Sequence, residues 1–253
     1  MADVPAKEGK YIYCIIAATA PETFSSRGIG ARGDAIYSVC GDGLAAVLSN
    51  SPVKPHSATR DNLMAHEIAI EEVMKTHTVL PVRFCTIAAS DDQIREILQK
   101  EHARFKDLLD KFTSKKELGV KAIFKEEVIF AEIQNKYKAI TDLKASIISL
   151  PAEKTYFQRM KIGEMVEAAL KTEVEQLKHE ILRQLTPLAV EVKINSTFGE
   201  RMIVNAAFLV EKDAEEKFYR CVNDIDAKHG ARMKMKYVCE VPPFNFVNLT
   251  IKV

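Results

Sequence analysis

What the chain has little of narrows it first. Its 36 Lys and Arg are almost matched by 35 Asp and Glu, for a net charge of +1. No field of one sign draws it to a polyanion, so nucleic acid is not an expected partner. No apolar run approaches the roughly 18 residues that span a bilayer, and the start, MADVPAKEGK, lacks a signal peptide's apolar core. These two absences predict an intracellular protein without a lipid membrane partner. The five cysteines, Cys14, Cys40, Cys85, Cys221 and Cys239, are odd in number, form no Cys-x-x-Cys pair and sit in apolar segments. They predict buried thiols, not a disulfide framework or a zinc knuckle. Also missing are a Ser/His/Asp order, an HExxH helix, a P-loop and an acidic metal loop, which leaves no ground for an enzyme or a cofactor.

What is present is a globular composition, 47% hydrophobic and 28% charged over 253 residues, enough for one large domain or two ordinary ones. The organising stretch is Tyr156 to Leu185. It has no interior proline, and Tyr156, Met160, Val166, Leu170, Val174, Leu177, Ile181 and Leu185 recur at mostly helical steps. Pro187 stops it. Such a helix is roughly 45 Å long, so shorter elements are expected to pack along it.

The first half reads as a strand over Tyr11 to Thr19, then a hairpin of Ala35 to Cys40 and Leu44 to Leu48 across Gly41-Asp42-Gly43. A helix follows from about Asp61 to Lys75, then a strand over Val79 to Thr86. Ser90-Asp91-Asp92-Gln93 forms a capping box for a helix carrying Ile94, Leu98, Phe105 and Phe112. Two patterns tempt without convincing. Gly28-Ile29-Gly30-Ala31-Arg32-Gly33 has the spacing of a dinucleotide-binding loop, but a strand, not a helix N-terminus, is expected after it. His66 and His77 share a helix face, but lie roughly 16 Å apart along the axis, too far for one metal ion. They read as core or interface histidines.

The second half, from Val120, reads as strand, a weaker helix over Glu132 to Leu150, the long helix, and the strands Leu188 to Ile194 and Met202 to Lys212. A helix capped by Asp213 and Glu216 and a strand over Arg232 to Val238 complete it. The order β, α, β, β, α, β is that of a ferredoxin-like sandwich with an enlarged first connection. The expected fold class is α+β in two domains, residues 1–118 and 119–253, the second ferredoxin-like with an extended long helix and a C-terminal tail over 242–253. Arg232, Lys234 and Lys236 alternate with Met233 and Met235 and read as one solvated strand face; an RNA-binding sheet would need more stacking aromatics than Phe208.

Asn205-Ala206-Ala207-Phe208-Leu209-Val210 resembles the NAAFLV signature of the GvpF/GvpL family of gas vesicle proteins. Val79 to Thr86, VLPVRFCT, with Pro81, Arg83 and Phe84, resembles its LPxRFGT. Glu117-Leu118-Gly119-Val120-Lys121 is similar to its EWGVK, and Val241-Pro242-Pro243-Phe244-Asn245-Phe246 to its GPWPPYSF ending. Cys85 stands where the family usually has Gly, and Leu118 where it has Trp. The resemblance implies a non-enzymatic minor component of gas vesicles, located on those hollow intracellular shells. It implies binding of the major shell protein, GvpA-like, with other minor gas vesicle proteins as further partners, and help in nucleation or assembly. A nucleotide- or RNA-binding regulator using Gly28 to Gly33 or the ferredoxin-like sheet is the alternative.

Two expectations concern surfaces. Arg83, flanked by apolar residues, is expected to pair with a carboxylate or backbone carbonyls. The tail alternates Phe244 with Phe246, then Leu249, Ile251 and Val253, as an extended segment with one bulge. It either staples the chain or offers Pro242, Pro243, Phe244, Phe246, Leu249 and Ile251 as an edge for the shell protein.

Overall fold

The computed structural model describes residues 7–247, 249 and 251. In chain order its strands are β1 (Glu8–Ala17), β2 (Thr23–Arg27), β3 (Ala35–Gly41), β4 (Leu44–Pro52), β5 (Leu80–Pro81), β6 (Ile87–Ala88), β7 (Lys115–Phe124), β8 (Glu191–Ile194), β9 (Met202–Glu211) and β10 (Met233–Val241). The helices are α1 (Arg60–Met74), α2 (Asp91–Lys100), α3 (His102–Thr113), α4 (Glu126–Lys136), α5 (Lys138–Ile147), α6 (Tyr156–Leu185) and α7 (Glu215–His229). The fold is mixed α and β, with two sheets and seven α-helices among the described residues. It divides into two compact units, Met1–Glu117 with Glu240–Val253, and Leu118–Cys239. The tail, expected with the second domain, packs with the first unit. The reason is local: Leu249 forms a parallel bridge with Val82, and the Arg83 N–H donates to the Leu249 carbonyl.

In the first unit the sheet runs β2-β3-β4-β1-β5, with β6 also paired to β1. β1 is buried along nearly its whole length, as a central strand covered on both faces must be. A bulge explains its pattern. The register to β4 shifts between Ile12 and Cys14, so the set packed with Ala69, Ile70 and Val73 of α1 changes from Tyr11 and Tyr13 to Cys14 and Ile16. The β3–β4 turn carries Asp42 at φ 52° and Gly43 at φ 80°, two left-handed residues in succession, as a type I′ hairpin requires. Strand β2 was not anticipated. TFSSR shows no apolar alternation, and its N–H groups at Ser25 and Ser26 donate to the Glu72 carboxylate of α1 at 2.7 and 2.8 Å.

In the second unit the order is β10-β7-β9-β8, and α6 lies over Phe208, Val204 and Ile203 together with α4, α5 and α7. Helix α6 occupies the expected span, but Tyr156 and Met160, expected inward, are exposed; its deep burial starts at Ala169. The expected strand beyond Phe124 is helix α4, and the expected single helix breaks at Tyr137. Arg232 is no part of a solvated basic stripe. Its Nε reaches Glu132 at 2.6 Å, its Nη2 reaches Glu173 at 3.0 Å, and its guanidinium lies over the Phe124 ring.

Candidate functional site

Leu63, His66 and Glu67 of α1, the segment Pro81 to Phe84, and Phe244, Val247 and Leu249 of the tail line a cleft of about 670 Å³ in the first unit. Hydrogen bonds from β1 build it. The Cys85 N–H donates to the Tyr11 hydroxyl at 3.0 Å, and that hydroxyl lies 3.0 Å from His66 Nδ1. The Val82 backbone, close to the ring, favours its protonated form. Burial, opposed by the Val82 backbone, lowers the His66 pKa to about 4. The ring is therefore a neutral part of an aromatic wall formed with Tyr11, Tyr13, Phe84 and Phe244.

Residues 243–247 form a turn where an extended strand was expected: the Phe246 and Val247 N–H groups both donate to the Pro243 carbonyl. Prolines at 242 and 243 cannot donate to a ladder, which ends β10 and starts the turn. Asn245 then anchors it, its N–H and Nδ2 donating to the buried Glu117 carboxylate at 3.0 and 2.5 Å. Pro242, Pro243 and Leu249 are buried, Phe246 and Ile251 half-buried, and Phe244 is 42% exposed. Val253 lies outside the described residues.

Pro81, Arg83 and Phe84 thus meet Phe244 and Leu249 in one cleft. Asn205 and Phe208 do not belong to it. Asn205 Nδ2 donates to the Ser196 carbonyl and fixes the β8–β9 turn, and Phe208 is fully buried against Phe218, which bars it from stacking on a base. The expected pairing of Arg83 is corrected: its side chain is exposed and has no ionic or hydrogen-bonding partner among the described residues. Leu63 and Glu67, which no motif marks, stand exposed at the cleft mouth.

The glycine loop forms a single 3-10 turn, Ile29–Ala31, leading into β3. Two of its N–H groups are used internally, Gly28 to the Asp34 carbonyl and Ile29 to the Tyr13 hydroxyl, and no helix N-terminus of the kind that holds a pyrophosphate follows it. His77 pairs with Glu22 at 3.1 Å. Among the described residues no group of three His, Cys, Asp or Glu side chains could hold a metal ion, and no helix is long and apolar enough to cross a membrane.

The fold is that of an α+β protein of two compact units, with an aromatic-walled cleft in the first. The family model described as gas vesicle synthesis protein GvpL/GvpF matches residues 9–248, and the chain belongs to that family. It is 28% identical to gas vesicle protein F of Nostoc sp., over 96% of this chain and 99% of that one. It is 27% identical to gas vesicle protein F of Dolichospermum flosaquae, over 94% and 97%. The crystal structure of GvpF from Anabaena sp. matches it with a TM-score of 0.79 at 25% identity, covering 96% of this chain and all of that one. That of Microcystis aeruginosa matches at 0.72 and 23%. Its role is therefore related to gas vesicles.

Proposed function

We propose that the chain is a minor, non-enzymatic gas vesicle component that binds the major shell protein through the cleft of the first unit and assists shell nucleation or assembly. The observation that carries this reading is the cleft's chemistry. Phe244 and Leu63, 42% and 44% exposed, stand beside Arg83, a cation without a partner among the described residues. A shell subunit that must present an apolar gas-facing surface is insoluble alone, and an apolar cleft with one cationic contact can shield such a surface before assembly. The second unit, on the same reading, is a ferredoxin-like sandwich: numbered within the unit its strands lie in the order 4-1-3-2, which supports it.

Co-purification of the major shell protein with the full chain tests the binding. Arg83→Ala should lose capture while melting at the wild-type temperature, since that side chain is exposed; Phe244→Ser should lose capture too, with a modest loss of stability because the ring packs on His66. Undiminished capture by both variants would exclude the cleft.

A further inference from the structure

Helix α1 is apolar on two sides. His66, Ala69, Ile70 and Val73 are buried inward, while Leu63, Met64 and Ile68 are 44%, 44% and 47% exposed. Met64 and Ile68 stand one turn apart, and Leu63, beside Met64, lines the cleft. A helix with polar residues outward needs no second cover, but an apolar stripe on each side calls for a neighbour on each. The inner stripe meets Tyr11, Tyr13 and Ile16 of β1. The outer one runs on from the cleft through Leu63 and is open.

The charges on that face are unbalanced. Glu67 and Glu71 lie one turn apart, a like-charge spacing that weakens a helix, and neither holds a hydrogen bond or ion pair among the described residues. Burial and then Glu67 raise the Glu71 carboxyl above its ordinary range, and Lys75 offsets them only in part. Arg83, on the next wall of the cleft, likewise lacks a partner there. Backbone groups are not on offer. The Val82 N–H donates to the Tyr13 carbonyl at 2.9 Å and the Arg83 N–H to the Leu249 carbonyl at 3.3 Å, and α1 uses its own within the helix. An added strand would find no ladder. The occupant must satisfy its own backbone and bring side chains alone, as an amphipathic helix in a groove does.

We propose that the segment of the shell protein seated in this cleft is an amphipathic helix whose apolar side rests on Leu63, Met64, Ile68 and Phe244, with a lysine or arginine toward Glu67 and Glu71 and a carboxylate toward Arg83. This rests on the cleft reading given above and adds to it the partner's conformation and its order of charges. The two glutamates repel each other in the free chain and gain a cation on binding.

Capture of the co-expressed major shell protein by the full chain tests the charge order. Glu67→Gln with Glu71→Gln should capture about fivefold more weakly, and Glu67→Lys with Glu71→Lys should lose capture. The glutamine pair removes a repulsion, so the free chain should melt no lower than wild type; lower melting would make the two glutamates structural and overturn the proposal. Asp107→Asn with Asp110→Asn, the same change of charge on exposed positions of α3, should capture like wild type, and a loss there would reduce the effect to net charge and overturn it too. Exchanging one shell-protein lysine or arginine for glutamate should restore capture by the double-lysine variant, and a proline four residues from that position should abolish capture by wild type, because it breaks a helix. A tolerated proline overturns the helix. Undiminished capture by both Glu67 and Glu71 pairs, with Arg83→Ala still losing it, overturns the proposal and leaves the cleft standing. Undiminished capture by Arg83→Ala and Phe244→Ser as well excludes the cleft and this inference with it.

Discussion

Protonating His66 should weaken the fold by an amount that follows from its surroundings. His66 is 5% exposed, its ring walled by Tyr11, Tyr13, Phe84 and Phe244, and Arg83 and Glu67 are the charged residues that line the same cleft. The His66 pKa falls from 6.5 to about 4 through burial, against the opposing effect of the Val82 backbone. Above pH 6.5 the ring is neutral folded and unfolded, and contributes no pH dependence. Below it the unfolded chain binds a proton that the folded chain refuses, so stability falls as pH falls, with a slope approaching about 1.4 kcal/mol per pH unit. The loss nears about 3 kcal/mol at pH 4, where the folded ring also titrates and the curve flattens. His56, also lowered by burial, adds a loss of the same sign, so the contribution must be isolated by difference. Glutamine can bond to Tyr11 without titrating. Urea unfolding followed by circular dichroism between about pH 4.5 and 7.5 should give His66→Gln a slope shallower by nearly one proton. Parallel curves for the two proteins would refute the assignment of a buried neutral imidazole.

Asn245→Ala keeps the backbone N–H but removes the Nδ2 donor from the buried Glu117 carboxylate and should cost about 1–3 kcal/mol in urea unfolding; an unchanged midpoint would show that the Asn245 side chain does not anchor the tail. Glu173 is opposed by burial, yet hydrogen bonds from Lys136, Tyr137 and Arg232 hold its carboxyl below the ordinary range. Glu173→Ala leaves Arg232 short of a partner and should cost about 3–5 kcal/mol, far more than loss of the exposed Lys161–Glu164 pair, whose worth is about 0.3–0.5 kcal/mol. Cys85 holds φ 67°, so Cys85→Val should lower the melting temperature clearly, whereas Cys85→Gly should stay within about 1 kcal/mol of wild type. Equal effects of the two would contradict the left-handed backbone.

Elements whose signals are local were legible in the sequence. Helix α6 has the same bounds in both, since periodicity, Pro151 before it and Pro187 after it leave no competing structure. Ser90 Oγ accepts from the Gln93 N–H as the capping box demands. Signals that depend on a distant partner were not legible. Thr59 caps α1, which starts at Arg60, one residue before the expected start, its side chain accepting from the Asn62 N–H. Strand β2 exists because Glu72, far along the chain, accepts from the Ser25 and Ser26 N–H groups and the Ser25 hydroxyl; against the opposing effect of burial these bonds hold the carboxyl at about 2. Val120 to Phe130 is rich in β-branched and aromatic residues, but Glu126 and Glu127 open α4 instead, an acidic first turn that the helix dipole favours.

The candidate site divides along the same line. The stretches VLPVRFC, ELGVK and VPPFNF could each be recognised separately, and nothing in their spacing tells that they converge. They converge because Asn245 reaches back to Glu117 and Leu249 to Val82, contacts whose cause is a buried carboxylate needing donors and a two-residue strand needing a neighbour. His66 was set aside as a core histidine because no second ligand lay within reach. That reasoning holds for metal chemistry, but it overlooks that a buried imidazole must still satisfy two nitrogens. Tyr11 meets one, and the Val82 backbone lies close to the ring. His66 therefore helps shape the cleft that Arg83 and Phe244 also line, the surface proposed above for the shell protein.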